Sequence, residues 1–130
     1  MPVSSKRDVL YKLYATINTR KKADPEKSYV ARLMKRGRRK ICQKLGEEAV
    51  ETAIAALSEG KKATISESAD LLFHLTVLWS DMGIKPDDVM KELESRIGKS
   101  GIAEKASRKG KAAKLAKGKG DKAKKPKCYQ

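Results

Sequence analysis

Lys44-Leu-Gly-Glu-Glu-Ala-Val-Glu-Thr-Ala-Ile-Ala-Ala-Leu57 is followed by Glu67-Ser-Ala-Asp-Leu-Leu-Phe-His-Leu-Thr-Val-Leu-Trp79, and both stretches carry helical spacing. At about 100° per residue, Lys44, Glu47, Glu48, Glu51 and Ala55 fall within an arc of roughly 100°. Leu45, Ala49, Val50, Ala53, Ile54, Ala56 and Leu57 cover the other side, which reads as the core face. Three carboxylates then share the remaining face, spaced so that their charges repel. A solvated acidic face accounts for such a pattern as well as a functional one does. The second stretch shifts the balance. From Ala69 to Trp79 it is apolar nearly all round, as a helix packed on every side must be, yet Glu67, Asp70 and His74 form one stripe of it. Carboxylates on a buried helix are costly unless paired or bound to a cation. Glu67 also has a plainer reading as the acid of a Thr64-Ile-Ser-Glu67 capping box, and His74 as a hydrogen-bonded core histidine. Asp70, one turn into the helix, is harder to explain in such a way. Two facing helices with two carboxylates each at i, i+3 can gather four around a hard cation such as magnesium.

The rest of the chain agrees with an all-α fold. Five helices are predicted and no strand. Ser4 or Ser5 caps the first, in which Val9, Leu10, Leu13, Tyr14 and Ile17 recur at helical spacing. Ser28 caps a second over Tyr29–Arg36, stopped by Gly37. The third runs from about Arg38 to Ser58, and the fourth from Thr64 to about Asp81, with Gly83 just beyond. Pro86 opens the fifth, with Asp87 and Asp88 at its positive end and Arg96 at its negative end.

Composition limits the remaining possibilities. The chain has 130 residues, enough for one ordinary domain, with 39% hydrophobic and 5% aromatic residues. No apolar stretch approaches the ~20 residues needed to span a bilayer, and no secretory leader is visible, so a cytoplasmic protein is expected. Cys42 and Cys128 make neither a disulfide framework nor, with a single histidine, a zinc site. The net charge of +15 is concentrated at the end: Glu104–Gln130 holds eleven basic residues and two acids. Rich in Ala, Lys and Gly, the segment 109–130 cannot bury enough surface to offset its ordering entropy. It reads as a disordered basic tail behind a folded body, residues 1–108. Its expected binding to nucleic acid is weak, non-specific and lost in salt.

Longer motifs resemble a known family. Glu48-x-x-Glu51 followed by Glu67-x-x-Asp70 resembles the ExxE…ExxD signature of the MazG-like all-α nucleotide pyrophosphatases. Tyr14-Ala-Thr-Ile17, Ala23-Asp-Pro-Glu-Lys-Ser-Tyr29, Gln43-Lys-Leu-Gly-Glu-Glu-Ala-Val-Glu51, Glu67-Ser-Ala-Asp-Leu-Leu-Phe-His74 and Gly98-Lys-Ser-Gly-Ile-Ala-Glu-Lys-Ala106 are similar to the phosphoribosyl-ATP pyrophosphatase family. The resemblance covers roughly residues 8–108. It implies a helix bundle completed by homodimerisation that hydrolyses phosphoribosyl-ATP to phosphoribosyl-AMP and pyrophosphate, the second step of histidine biosynthesis. It further implies magnesium held by Glu48, Glu51, Glu67 and Asp70, with Glu47 positioning or deprotonating the attacking water. No covalent nucleophile is needed for such chemistry.

A basic stretch, Lys35, Arg36, Arg38, Arg39 and Lys40, precedes the third helix. It reads either as a solubility patch or as phosphate capture, with Arg38, Arg39, Lys40 and Lys44 the candidate substrate contacts. No Walker or Rossmann glycine motif is present. Two other functions stay open beside the first: a house-cleaning nucleoside-triphosphate pyrophosphatase using the same carboxylates, and a non-enzymatic nucleic-acid-binding protein suggested by the charge. The fourth helix is also too apolar for one small chain to cover, so Trp79 or Leu78 is expected against a partner subunit.

Overall fold

Ser28 sits where the chain leaves an extended conformation, and its Oγ accepts a hydrogen bond from the Ala31 amide at 3.2 Å. That cap starts a helix over Tyr29–Arg36, which stops at Gly37 because the φ of 90° there suits glycine. The computed structural model describes residues 9–98, 101, 105 and 108–112. Every regular element among them is helical: α1 (Val9–Arg20), α2 (Tyr29–Arg36), α3 (Arg38–Ser58), α4 (Lys61–Met82) and α5 (Pro86–Arg96). Helical backbone also occurs at 101, 105 and 108–112. The last of these covers the first residues of the basic segment; the remainder of the expected tail, and Cys128, lie outside the described residues. Cys42 is an exposed free thiol.

α4 begins a turn earlier than the capping-box reading expects. Gly60, at φ 99°, ends the preceding connection, and Lys61 already opens the helix. Thr64 therefore lies inside α4 and donates its hydroxyl back to the Gly60 carbonyl at 2.8 Å. It caps nothing, so Glu67 is relieved of the structural duty that the sequence offered it. At the other end Gly83 adopts the left-handed conformation and its amide returns to the Ser80 and Trp79 carbonyls.

Two units divide the chain, residues 1–88 and 89–130. In the first, α3 and α4 make the most extensive contact, α1 packs on α4, and α2 on α3. Ile17, Val30, Leu33, Ile41 and Val77 form its core, flanked by Leu13, Met34, Phe73 and Leu78. Ile41 is fully enclosed. Ile41→Ala should cost about 2–5 kcal/mol in a denaturant titration, from lost burial plus the cavity left behind. The second unit holds most of α5, where Arg96 grips Glu92 one turn away at 2.6 Å, and Gly98 carries a positive φ past its end.

The apolar arc of α3 is not the core face that the wheel suggests. Glu48 is 8% exposed and Ala55 fully buried, whereas Val50, Ile54 and Leu57 are 60%, 51% and 89% exposed. Glu48 and Ala55 of the acidic arc face the chain's own interior while Glu47 and Glu51 stay exposed, and Val50, Ile54 and Leu57 of the apolar arc face out. Periodicity separates two faces but does not say which neighbour each meets. Of the two residues expected against a partner, Trp79 is already buried within the single chain, whereas Leu78 is half-buried.

Candidate active site

Glu48 comes from the middle of α3, and Glu67 and Asp70 from the first half of α4, at i and i+3 on the side facing it. One carboxylate oxygen from each lies within 4.8 Å of the other two. Oε2 of Glu67 is closed off from solvent with no hydrogen-bond partner among the described residues. An orphaned buried carboxylate oxygen among like charges is a costly arrangement, and a hard cation would satisfy it. The Glu48 carboxyl is raised above its ordinary value, first by burial, then by a hydrogen bond shared with Glu51 and by the charges of Glu51 and Asp70; His74 opposes these. Glu67 is raised as well, by burial first and then by Glu51, Asp70 and Glu48. Glu51 is thus an electrostatic neighbour of the cluster, although the tight group of oxygens comprises the other three.

His74 stands behind Asp70, buried. Its Nδ1 lies 2.8 Å from the Asp70 carbonyl, which can only accept, so that nitrogen carries the proton. Nε2 is then the acceptor for the Tyr29 hydroxyl at 3.1 Å. Tyr29 also stacks on Phe73, with ring centroids 6.1 Å apart. His74 is a core histidine with both nitrogens engaged, and it ties α2 to the turn of α4 that bears Asp70.

These shifts fix the sign of a pH effect. A carboxyl raised in the folded state binds its proton more tightly there than in the unfolded chain. Without a bound cation, stability should fall as pH climbs from the ordinary carboxylate range through the raised values. The penalty should vanish below that range. Melting curves of wild type and Glu67→Gln across the acid range check this, the variant showing the shallower loss.

Glu47 lies outside the cluster. Its exposed carboxylate accepts from Gln43 Nε2 at 2.9 Å and from Lys44 Nζ at 3.0 Å, and the same two contacts, Gln43's first, lower its pKa. The Lys44 ammonium is raised in turn, chiefly by Glu47. Lys44 and Lys40 line a cavity of about 250 Å³ with Tyr29, Arg32, Leu33 and Arg36. Arg38 is held elsewhere, its Nε 2.7 Å from Asp81 Oδ2, and Arg39 is exposed outside the cavity lining. Arg32 had no signal in the sequence beyond its place four residues before Arg36, one turn up the same helix.

A family model described as phosphoribosyl-ATP pyrophosphohydrolase matches residues 10–97, most of the chain. The chain belongs to this family. Among curated members, the phosphoribosyl-ATP pyrophosphatase of Paramagnetospirillum magneticum is 59% identical over 100 residues, which are 77% of this chain and 92% of the relative. That of Azospirillum brasilense is 59% identical over 101 residues, 78% of this chain and 91% of the relative. That of Rhodospirillum rubrum is 53% identical over 102 residues, 78% and 87% respectively. Membership selects the first of the three readings that the sequence opened, and all three carboxylates of the tight cluster fall inside the matched segment. No helix among the described residues is long and apolar enough to cross a membrane.

Proposed function

We propose that the chain hydrolyses the α–β phosphoanhydride of phosphoribosyl-ATP at the Glu48–Glu67–Asp70 cluster, as a magnesium-dependent homodimer in the cytoplasm. The observation that carries the site is the convergence of three carboxylate oxygens from two helices around a buried, unpartnered oxygen of Glu67. An all-oxygen anionic donor set suits magnesium, which keeps waters and phosphate oxygens in its other positions. Glu48, Glu67 and Asp70 would hold it, with Glu51 beside them. When bound, the metal supplies charge neutralisation at the phosphoanhydride and a more acidic water.

The chain's own groups supply placement. α3 and α4 hold the carboxylates through their packing, and the Tyr29–His74–Asp70 chain fixes the α4 turn against α2. In the reaction a water oxygen bonds to the α-phosphorus, the bond from that phosphorus to the bridging oxygen breaks, and the electron pair leaves on pyrophosphate. The water's proton passes to solvent. Glu47 is assigned here to holding Lys44 in place rather than to the water, because both its oxygens are engaged away from the cluster.

The dimer rests on the outward apolar arc of α3, Val50, Ile54 and Leu57, and on the exposed Ile65 and Leu72 of α4. An apolar cavity of about 510 Å³ lined by Ala56, Ile65, Ala69 and Leu72 among others lies between the same two helices. A second copy of the chain offers a matching apolar surface.

The deciding experiment follows pyrophosphate release from phosphoribosyl-ATP, ATP and dCTP, each with and without magnesium. Release from phosphoribosyl-ATP alone, and only with magnesium, is expected. Comparable release from ATP or dCTP would establish the house-cleaning activity instead.

A further inference from the structure

The cavity beside the carboxylates is as cationic as the cluster is anionic. Four of its six lining residues, Arg32, Arg36, Lys40 and Lys44, carry positive charge and none carries negative charge. Their own partners leave that charge mostly unbalanced. Arg32 Nε donates to the Pro25 carbonyl at 3.3 Å, and the one hydrogen bond of Lys40 Nζ among the described residues goes to the neutral Gln43 amide oxygen at 3.5 Å. Lys44 pairs with the Glu47 carboxylate, which Lys40 also feels at longer range, and Arg36 has no acidic partner among the described residues. Such a pocket binds anions, and its volume is several times the ~30 Å³ that a water molecule occupies in the liquid.

Its position says which anion. Lys44 lies one turn before Glu48 on α3, about 6 Å along the axis, and Lys40 one turn further. Tyr29 lines the cavity and turns its hydroxyl to His74, whose other nitrogen meets the Asp70 carbonyl, so the Tyr29 and His74 rings link the cationic pocket to the turn that bears Asp70. If the bond to be cut lies at the carboxylates, the β- and γ-phosphates are the next groups along the substrate. The other phosphate is separated from that bond by two ribose rings and a purine. Resting on the function proposed above, we infer that Arg32, Arg36, Lys40 and Lys44 seat the β- and γ-phosphates, and hence the pyrophosphate that leaves.

This assignment divides the labour between two adjacent sites of opposite sign. Charge grows on the β,γ-group as the bridging oxygen departs, so cations fixed there favour the transition state over the ground state. Arginine forks match phosphate oxygens in pairs, which lysine cannot do. Lys44, drawn towards Glu47, is held at the end of the pocket nearer the carboxylates.

The test uses the full-length protein and inorganic pyrophosphate, with binding read by titration calorimetry and product inhibition read in the turnover assay. Arg36→Gln and the double variant Arg32→Gln/Arg36→Gln are compared with Lys22→Gln, which removes an equal charge from an exposed position away from the cavity. Pyrophosphate affinity should fall about tenfold per arginine, the scale of one charge-assisted hydrogen bond. Its inhibition constant should rise in parallel while that of phosphoribosyl-AMP moves less than about twofold. Arg36→Gln removes no side-chain hydrogen bond or ion pair among the described residues, so its reading stands even where the double variant folds poorly. An equal loss in Lys22→Gln would reduce the effect to net charge and overturn the assignment. So would unchanged pyrophosphate affinity beside weakened inhibition by phosphoribosyl-AMP, which would put the other end of the substrate in the pocket. Calorimetry keeps the two proposals apart. A wild type inert towards phosphoribosyl-ATP whose pyrophosphate binding depends on Arg36 refutes the substrate and retains the pocket; an active wild type with variants of full affinity does the opposite.

Discussion

Glu67→Gln should lower turnover of phosphoribosyl-ATP by at least about a thousandfold at saturating magnesium and leave the helical content unchanged. The proposed role of Glu67 is to present an anionic oxygen to the metal, and an amide offers a neutral and weaker donor in the same volume. Losing one preorganised group that meets developing charge costs on the order of 10²–10³ in other enzymes, and weaker metal retention adds to it. Stability should move the other way. Glu67 Oε2 is buried without a donor, and Glu48, Glu51 and Asp70 surround it with like charge. The amide removes one charge and brings N–H donors that those carboxylates can accept. A metal-free melting temperature equal to wild type or higher is therefore expected, and Asp70→Asn should behave alike. An inactive enzyme with an unharmed fold separates a ligand from a structural residue. Near-normal turnover in both variants under saturating magnesium would remove the ligand assignment altogether.

That opposition between function and stability also explains what could be read in advance. Where a local rule had one physical meaning, the reading holds: the Ser28 cap and Gly37 stop bound α2, and the left-handed Gly83 closes α4. Where a pattern had two meanings, tertiary packing decides between them. Thr64-x-x-Glu67 spells a capping box, but a hydroxyl inside a helix bonds equally well to the carbonyl four residues back, and Thr64 does so. The acidic arc of α3 taken alone fits a solvated face as well as a site, and only the carboxylates of the fourth helix shift the balance towards a site. Glu48 alone of the arc's three carboxylates is buried, against the α4 turns that carry Glu67 and Asp70, where their like charges repel unless a cation lies between them. Convergence across two helices is a tertiary property that neither helix reveals alone. Arg32 was illegible for the same reason: its relevance depends on Lys40 and Lys44 across the α2–α3 junction. Arg38, conversely, looked like part of a phosphate patch and is spoken for by Asp81, forty-three residues away in sequence.

Ile54→Lys should convert the protein from dimer to monomer at micromolar concentration and lower activity by about a hundredfold or more. Ile54 lies between Val50 and Leu57 on the outward stripe of α3, at i+4 and i−3 from them, and all three are exposed in the single chain. Burying one side chain of this size is worth ~1.5–3 kcal/mol. In a twofold dimer each substitution is made twice, so at least ~3 kcal/mol is lost, about two orders of magnitude in the association constant. Two lysines brought towards the same axis add desolvation and repulsion. The opposite face of the same helix carries Glu48, so separation of the subunits also loosens the scaffold on which the carboxylates converge. The effect on activity should therefore track subunit concentration, with turnover partly recovering as the protein is concentrated. Sedimentation velocity and activity measured over one dilution series check both halves. If Ile54→Lys sediments as the wild type does, or if the wild type is a fully active monomer at micromolar concentration, the stripe is ordinary surface and the homodimer is wrong. The same series on Ile41→Ala provides the contrast, since a core substitution should lower stability without exposing a new dependence on concentration.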